Sequence, residues 1–170
     1  MIKKRKEIII TSPSRLHLGF YGFDDRYGYK YGSMGLAINA HKTIISVKHS
    51  QNVVSDLPKK YILPLIKYLK LKRAKSNFEI KTLQKSPSHI GLGSGTQLSL
   101  SIGMAVSKLF NLNLEANDIA NIYNRGKRSG TGISIFKQGG FVVDACKKDR
   151  LLPRDMFKSK FPKDWRIILF

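Results

Sequence analysis

The sequence predicts an α+β domain on two observations: strand-like segments gather in the first fifty residues, and helical periodicity dominates the middle of the chain. Residues 6–12 read as a strand that Ser12-Pro13-Ser14 interrupts. Arg15-Leu16-His17-Leu18 then resumes the alternation in a strand over 15–22, which sets Arg15 and His17 on one face. Residues 21–35, rich in glycine and tyrosine, read as a loop; strands follow at 34–40 and 42–50, and a helix at 58–72. The strand at 76–84 alternates Phe78, Ile80 and Thr82 against Glu79, Lys81 and Leu83. Over 94–110, Leu98, Ile102, Ala105, Val106 and Leu109 recur at three- and four-residue spacing, giving one buried helical stripe. A helix at 114–125 and strands at 139–145 and 165–170 complete the pattern, without internal repeats or low-complexity segments.

Between the strand at 76–84 and the helix at 94–110 runs Pro87-Ser88-His89-Ile90-Gly91-Leu92-Gly93-Ser94-Gly95-Thr96-Gln97. Strand, glycine loop and helix in that order form a phosphate-binding geometry. Glycines let the backbone approach an anion, and the free N–H groups at the helix start attract negative charge. The loop lacks the Gly-Lys-Ser/Thr ending of a P-loop and the last glycine of a dinucleotide fingerprint, so neither of those folds is indicated.

The run Pro-x-x-x-Gly-Leu-Gly-Ser resembles the phosphate-cradling motif of the GHMP kinase superfamily, the group that includes galactokinase, homoserine kinase and mevalonate kinase. The continuation Gly95-Thr96-Gln97 is similar to one branch, the beta-ribofuranosylaminobenzene 5'-phosphate synthases. Two further segments support the narrower resemblance: residues 12–19, and Arg125-Gly126-Lys127-Arg128-Ser129-Gly130-Thr131-Gly132-Ile133 followed by Gly139-Gly140-Phe141-Val142-Val143-Asp144. The resemblance implies the superfamily's N-terminal domain, a ribosomal-protein-like two-layer α/β sandwich over 1–170, with the C-terminal domain absent from this chain. The chain stops inside the apolar run 165–170, so a fragment, a split-gene product or a truncated reading frame is expected, with a separate C-terminal half or a homodimer as the candidate protein partners.

The same resemblance implies a chemistry. Where the sugar and mevalonate kinases carry a carboxylate after Ser-Gly-x, this chain has Gly132, which cannot accept a proton, so the residues favour the synthase over a kinase. Phosphoribosyl pyrophosphate and 4-aminobenzoate are then expected to form a C-riboside with loss of pyrophosphate and carbon dioxide, in the pathway to methanopterin-type cofactors. The ring carbon that adds to the ribose is itself the electron sink, so no organic cofactor is needed. Substrate-binding candidates are His89, Gly91, Leu92, Gly93, Ser94, Gly95, Thr96, Lys127, Arg128 and Ser129; of the basic residues beside Ser129, which also include Arg125, Arg128 is the strongest because its position belongs to the family pattern and its guanidinium offers a planar fork. Arg15, His17 and Asp25 are the catalytic candidates, Asp25 being preferred to Asp24. Ser94 is the candidate ligand for magnesium (Mg2+), which takes one or two protein oxygens beside substrate phosphates.

With 31 Lys and Arg against 11 Asp and Glu, the formal charge is +20, a balance that suits phosphorylated substrates and nucleic acid alike. The cations at 3–6, 59–75 and 147–163 sit in no motif and read as solvated surface. At 42% hydrophobic and 10% aromatic, 170 residues can bury one ordinary core, and no apolar run is long enough for a membrane span or a signal-peptide core, which makes a cytoplasmic protein the expectation. Cys146 is the only cysteine and His17, His41, His49 and His89 lack metal-motif spacing, so neither an intrachain disulfide nor a zinc or iron centre is expected. Two other classes stay open: an ATP-dependent small-molecule kinase with a relocated base, and a basic RNA-binding module whose stacking residues would be Tyr27, Tyr29 and Tyr31.

Overall fold

The computed structural model describes residues 7–22, 26, 28–73, 77–88, 90–147 and 153–169. Its elements follow the chain as β1 (Glu7–Gly22), β2 (Tyr29–His49), β3 (Val54–Ser55), α1 (Lys59–Leu71), β4 (Phe78–Gln84), α2 (Ser94–Phe110), α3 (Ala116–Ile122), α4 (Thr131–Gln138), β5 (Phe141–Lys147) and β6 (Arg154–Ser159). The strands form one sheet in the order β3-β4-β2-β5-β6, with β1 also paired to β2. The α+β class, the strand–loop–helix unit and the helices at 58–72 and 94–110 are as expected from the sequence.

The centre of the sheet is β2. It pairs antiparallel with β1 along most of its length, with β5 over Tyr29–Leu36 and with β4 over Ile44–His49. Two pairs of expected strands are therefore fused. Ser12-Pro13-Ser14 does not end the first strand; the register jumps from Ser12↔Thr43 to Ser14↔Ile38, so proline sits at a bulge where no ladder N–H is required. Opposite it, His41 takes φ 53°, and the Ser14 hydroxyl donates to the His41 carbonyl at 2.7 Å, holding the bulge of the partner strand. The loop expected at 21–35 is mostly strand, because β1 and β2 continue pairing to Gly22↔Tyr31. Gly32 is required there: a side chain would collide with the Tyr21 ring and the Asp144 carbonyl.

Three other expectations change. The helix at 114–125 is the shorter α3, opened by a reciprocal capping box between Glu115 and Asp118. The segment after Ser129, for which the sequence predicts no helix, opens α4, eight residues whose flanking and internal glycines hide the helical period. Residues 165–169 form no strand, and Trp165 and Ile168 are exposed at 66% and 79%. The last strand is β6, within the segment read as solvated cations; it is an edge strand with mostly exposed side chains, so it lacks apolar alternation.

The main core joins Ile45, Val47, Phe78 and Ile80 of the sheet to the apolar stripes of α1, α2 and α3. A smaller cluster of Leu36, Ile38 and Leu92 anchors the glycine loop to the sheet. Among the described residues, no helix is long and apolar enough to cross a membrane. Helices α2 and α3 approach closely at Gly103, where a Cβ would run into the Ile119 side chain. Gly103→Val is accordingly expected to destabilise the fold by about 1–3 kcal/mol through overpacking, read as a lower midpoint in urea denaturation; an unchanged midpoint would mean that the α2–α3 contact yields without cost.

Candidate anion-binding site

The glycine loop is fastened along the free edge of β1. The backbone N–H of Arg15 donates to the Leu92 carbonyl at 3.0 Å and that of His17 to the Gly91 carbonyl at 3.2 Å. Leu92, 2% exposed, sinks its side chain into the smaller core, so it serves the site as an anchor and turns its neighbours outward. Gly93 takes φ 64° as the residue before α2, and a Cβ there would lie 2.9 Å from Arg15 Nε. No side chain caps α2, so its first N–H groups remain available to an anion beside Ser94.

Two cavities open on either side of this helix start. The first, of about 360 Å³, is lined by residues 91–96 together with Lys60, Lys85 and Arg125. The second, of about 430 Å³, is lined by Arg15, His17, Phe20 and the loop at 124–129. Thr96 and Arg125 belong to both walls. Among the described residues, no carboxylate lines either cavity.

Beneath the second cavity lies a fully buried carboxylate. Asp144 Oδ1 accepts the Ser33 N–H at 2.7 Å, and Oδ2 accepts the N–H groups of Gly130 and Thr131 at the start of α4, the latter at 2.9 Å. Ser33 Oγ lies 2.7 Å from both Asp144 Oδ1 and Ser129 Oγ. Its one hydrogen cannot serve both; the carboxylate accepts only and takes it, so Ser129 donates to Ser33. Ser129 and Thr131 hydroxyls are 2.8 Å apart, and both accept from Arg15 Nη1, at 3.2 and 3.1 Å. The hydroxyls therefore align from guanidinium to carboxylate, keeping the two charges coupled but apart.

The electrostatics follow from this layering. Burial lowers the pKa of Arg15, and Asp144 opposes the shift. Burial also raises the pKa of Asp144, against the hydrogen bonds from Ser33, Gly130 and Thr131. His17 is lowered first by burial and then by the positive charge of Arg15, with Asp144 acting in the other direction, so its imidazole is neutral near pH 7. Arg15 Nε, Arg125 Nε and His17 Nδ1 are buried without a hydrogen-bond partner among the described residues. Two cationic side chains at the cavity walls thus carry donors that the described residues leave unsatisfied.

Arg15, His17, Gly91, Gly93, Ser94, Gly95, Thr96, Lys127, Arg128 and Ser129 are thus gathered around two adjoining cavities. Asp24, Asp25 and His89 lie outside the described residues. Arg128 is exposed at the rim, whereas Arg125 forms the shared wall, its guanidinium 3.5 Å from where a Cβ on Gly95 would stand. The difference arises in the turn after α3, where Asn124 takes φ 55° and Arg125 N–H bonds the Ala120 carbonyl at 2.7 Å. Sequence reading gave no role to Asp144, Ser33 or Thr131. An acid inside the apolar run Phe141-Val142-Val143-Asp144-Ala145 was the available signal, since a buried charge needs partners. No group of three or more His, Cys, Asp or Glu among the described residues could hold a metal ion.

Residues 58–140 match the family model of the GHMP kinases N terminal domain. A beta-ribofuranosylphenol 5'-phosphate synthase of Methanocaldococcus jannaschii is 36% identical over 152 residues, covering 81% of this chain and 46% of that protein. The same-named synthase of Archaeoglobus fulgidus is 32% identical over 177 residues, covering 94% and 56%. The chain spans about half the length of the curated relatives it matches. A mevalonate kinase crystal structure superposes with a TM-score of 0.61 at 24% identity, over 92% of this chain and 56% of that one, which shows the shared fold.

The lowered pKa of His17 has a direct readout. In an NMR titration its imidazole should titrate below the ordinary value of about 6.5, and added pyrophosphate should move the midpoint upward by offsetting the charge of Arg15. Because the unfolded chain binds more proton in that window, the contribution of His17 to stability is lost as pH falls below about 6.5. A midpoint that ignored pyrophosphate would remove His17 from the anion's neighbourhood.

Proposed function

We propose that this chain, which carries a GHMP kinase N-terminal domain and is a relative of the beta-ribofuranosylphenol 5'-phosphate synthases, binds phosphoribosyl pyrophosphate and directs its ribosyl carbon onto an aryl carboxylate. The observation that carries the reading is the pair of adjoining cavities sharing Thr96 and Arg125, both furnished with cations and hydroxyls and, among the described residues, no carboxylate. Phosphoribosyl pyrophosphate has a diphosphate at one end and a phosphate at the other, and the two cavities offer one anion site each.

In this reading the bond between the anomeric carbon and the diphosphate breaks, and the diphosphate leaves with the electron pair. The ring carbon bearing the carboxylate attacks the anomeric carbon, and loss of carbon dioxide returns an electron pair to the ring. No proton has to be removed for the carbon–carbon bond to form, so a site without a positioned base is sufficient. The acceptor is 4-aminobenzoate or its 4-hydroxy counterpart; decarboxylating ribosylation of the latter gives the phenol that the relatives' name describes. The setting is cytoplasmic synthesis of a methanopterin-type cofactor.

Arg15 and Arg125 bind and neutralise the phosphate oxygens, and α2 adds its free N–H groups. Neutral His17 donates a single hydrogen bond. Ser94 fits magnesium as the protein oxygen beside the ligand's own phosphates, because that ion keeps several waters and needs few protein ligands; when bound, it would spread the charge of the leaving diphosphate. Asp25 belongs to the same proposal as a further carboxylate. Gly132 favours a synthase over a kinase: a Cβ there would lie 3.2 Å from Thr96 Cγ2 and 3.9 Å from Arg15 Cδ, so a carboxylate introduced at this position would pair with Arg15 and cancel the charge offered to the substrate.

Calorimetry of the 170-residue chain with magnesium should show tighter binding of phosphoribosyl pyrophosphate than of ATP; the reverse order would restore the kinase. Arg125→Ala should weaken phosphoribosyl pyrophosphate binding by about 10- to 100-fold, the loss of one or two charge-assisted hydrogen bonds. Gly132→Asp should weaken it and Gly132→Asn much less, with the aspartate deficit shrinking as pH falls and the introduced acid protonates. Equal affinities for both variants would mean that Arg15 does not meet the ligand.

A further inference from the structure

The second cavity has a wall that phosphate binding does not use. Phe20, near the end of β1, lines it while 56% exposed. A single exposed aromatic is ordinary, but this one is fixed by two rings: His17 lies edge-on at 4.6 Å between centroids, and Tyr31 at 6.5 Å. The Tyr31 hydroxyl donates to the Lys127 carbonyl, so the aromatic cluster and the basic loop are tied together. Arg125, Lys127 and Arg128 line the same cavity as Phe20. Neither Lys127 nor Arg128 has a salt bridge to an acid among the described residues.

An apolar flat wall and a cationic rim in one cavity select a particular chemistry. A free phosphate would use the cations and leave Phe20 solvated; a neutral arene would use Phe20 and leave the cations unpaired. A planar aromatic ring carrying a carboxylate satisfies both at once, by packing on Phe20 and donating its charge to the rim. We propose that Phe20, Lys127 and Arg128 form the acceptor subsite, with Phe20 as the stacking wall for the ring and Arg128 as the principal grip on the carboxylate. The assignment rests on the ribosyl-transfer reading above, since it places an aryl carboxylate beside the phosphoribosyl group that Arg15 and Arg125 hold. It also gives Arg128 a role distinct from phosphate binding, consistent with its exposed position at the rim.

The test is saturation-transfer NMR on the 170-residue chain with 4-aminobenzoate and 4-hydroxybenzoate, each with and without phosphoribosyl pyrophosphate, alongside calorimetry of phosphoribosyl pyrophosphate alone. The expected result is saturation of the ring protons in the wild-type chain, with benzamide, which lacks the charge, giving a weaker signal. Phe20→Ala should weaken aryl carboxylate binding by about two- to twelvefold, with Phe20→Tyr restoring it, and both should leave phosphoribosyl pyrophosphate affinity within about twofold. Arg128→Met should weaken the carboxylates and leave benzamide unchanged. Equal ring saturation in the wild type and Phe20→Ala would overturn the assignment. So would Phe20-dependent binding of a short RNA or a nucleotide that displaced no carboxylate, which would make Phe20 a base-stacking residue. Phe20-dependent aryl binding without any phosphoribosyl pyrophosphate binding would support the subsite and overturn the donor instead.

Discussion

The Asp144 carboxylate is the constraint on which the site depends. It is fully buried, and its oxygens collect N–H groups from β2 and from the start of α4. Remove that charge and three elements lose their common fastening: the β2 segment at Ser33, the turn at Ser129 to Thr131, and, through their hydroxyls, the guanidinium of Arg15. The layer of hydroxyls matters as much as the acid. A direct ion pair would hold Arg15 more tightly and leave little of its charge for a ligand, whereas one layer of Ser and Thr lets Asp144 offset the burial of the guanidinium while Arg15 Nε stays unpartnered among the described residues.

The parts of this arrangement that depend on neighbouring residues were legible in the sequence. Strand β4, the glycine loop and α2 are contiguous, and α2 runs seventeen residues, long enough for its apolar stripe to declare the period. Arg15 and His17 share a face because residues two apart in a strand do, and both reach the second cavity. Parts that depend on distant partners were not legible. Pro13 looked like a strand breaker, yet pairing with β2 carries the strand past it at a bulge. Asp144 meets Ser33 across 111 positions of sequence, a contact that no local pattern encodes.

The loop at 124–129 illustrates an intermediate case. Its basic composition was visible, and so was its proximity to the Ser-Gly pair. Which cation enters the wall is decided by backbone geometry: the left-handed Asn124 and the Arg125 N–H bond to Ala120 turn Arg125 inward and leave Arg128 at the rim. Residue type gave the kind of chemistry, while the turn gave each residue its share of it.

The wall common to the two cavities gives their occupancies a route to thermodynamic linkage. Arg125 and Thr96 face both chambers, and the Arg125 guanidinium has few alternatives beside Gly95, where it packs against the helix backbone. A ligand in one chamber that draws this guanidinium toward itself changes the charge and the shape met by a ligand in the other. Ligand groups held in the two chambers would then be coupled through one side chain, and by reciprocity the second would alter the first by the same factor.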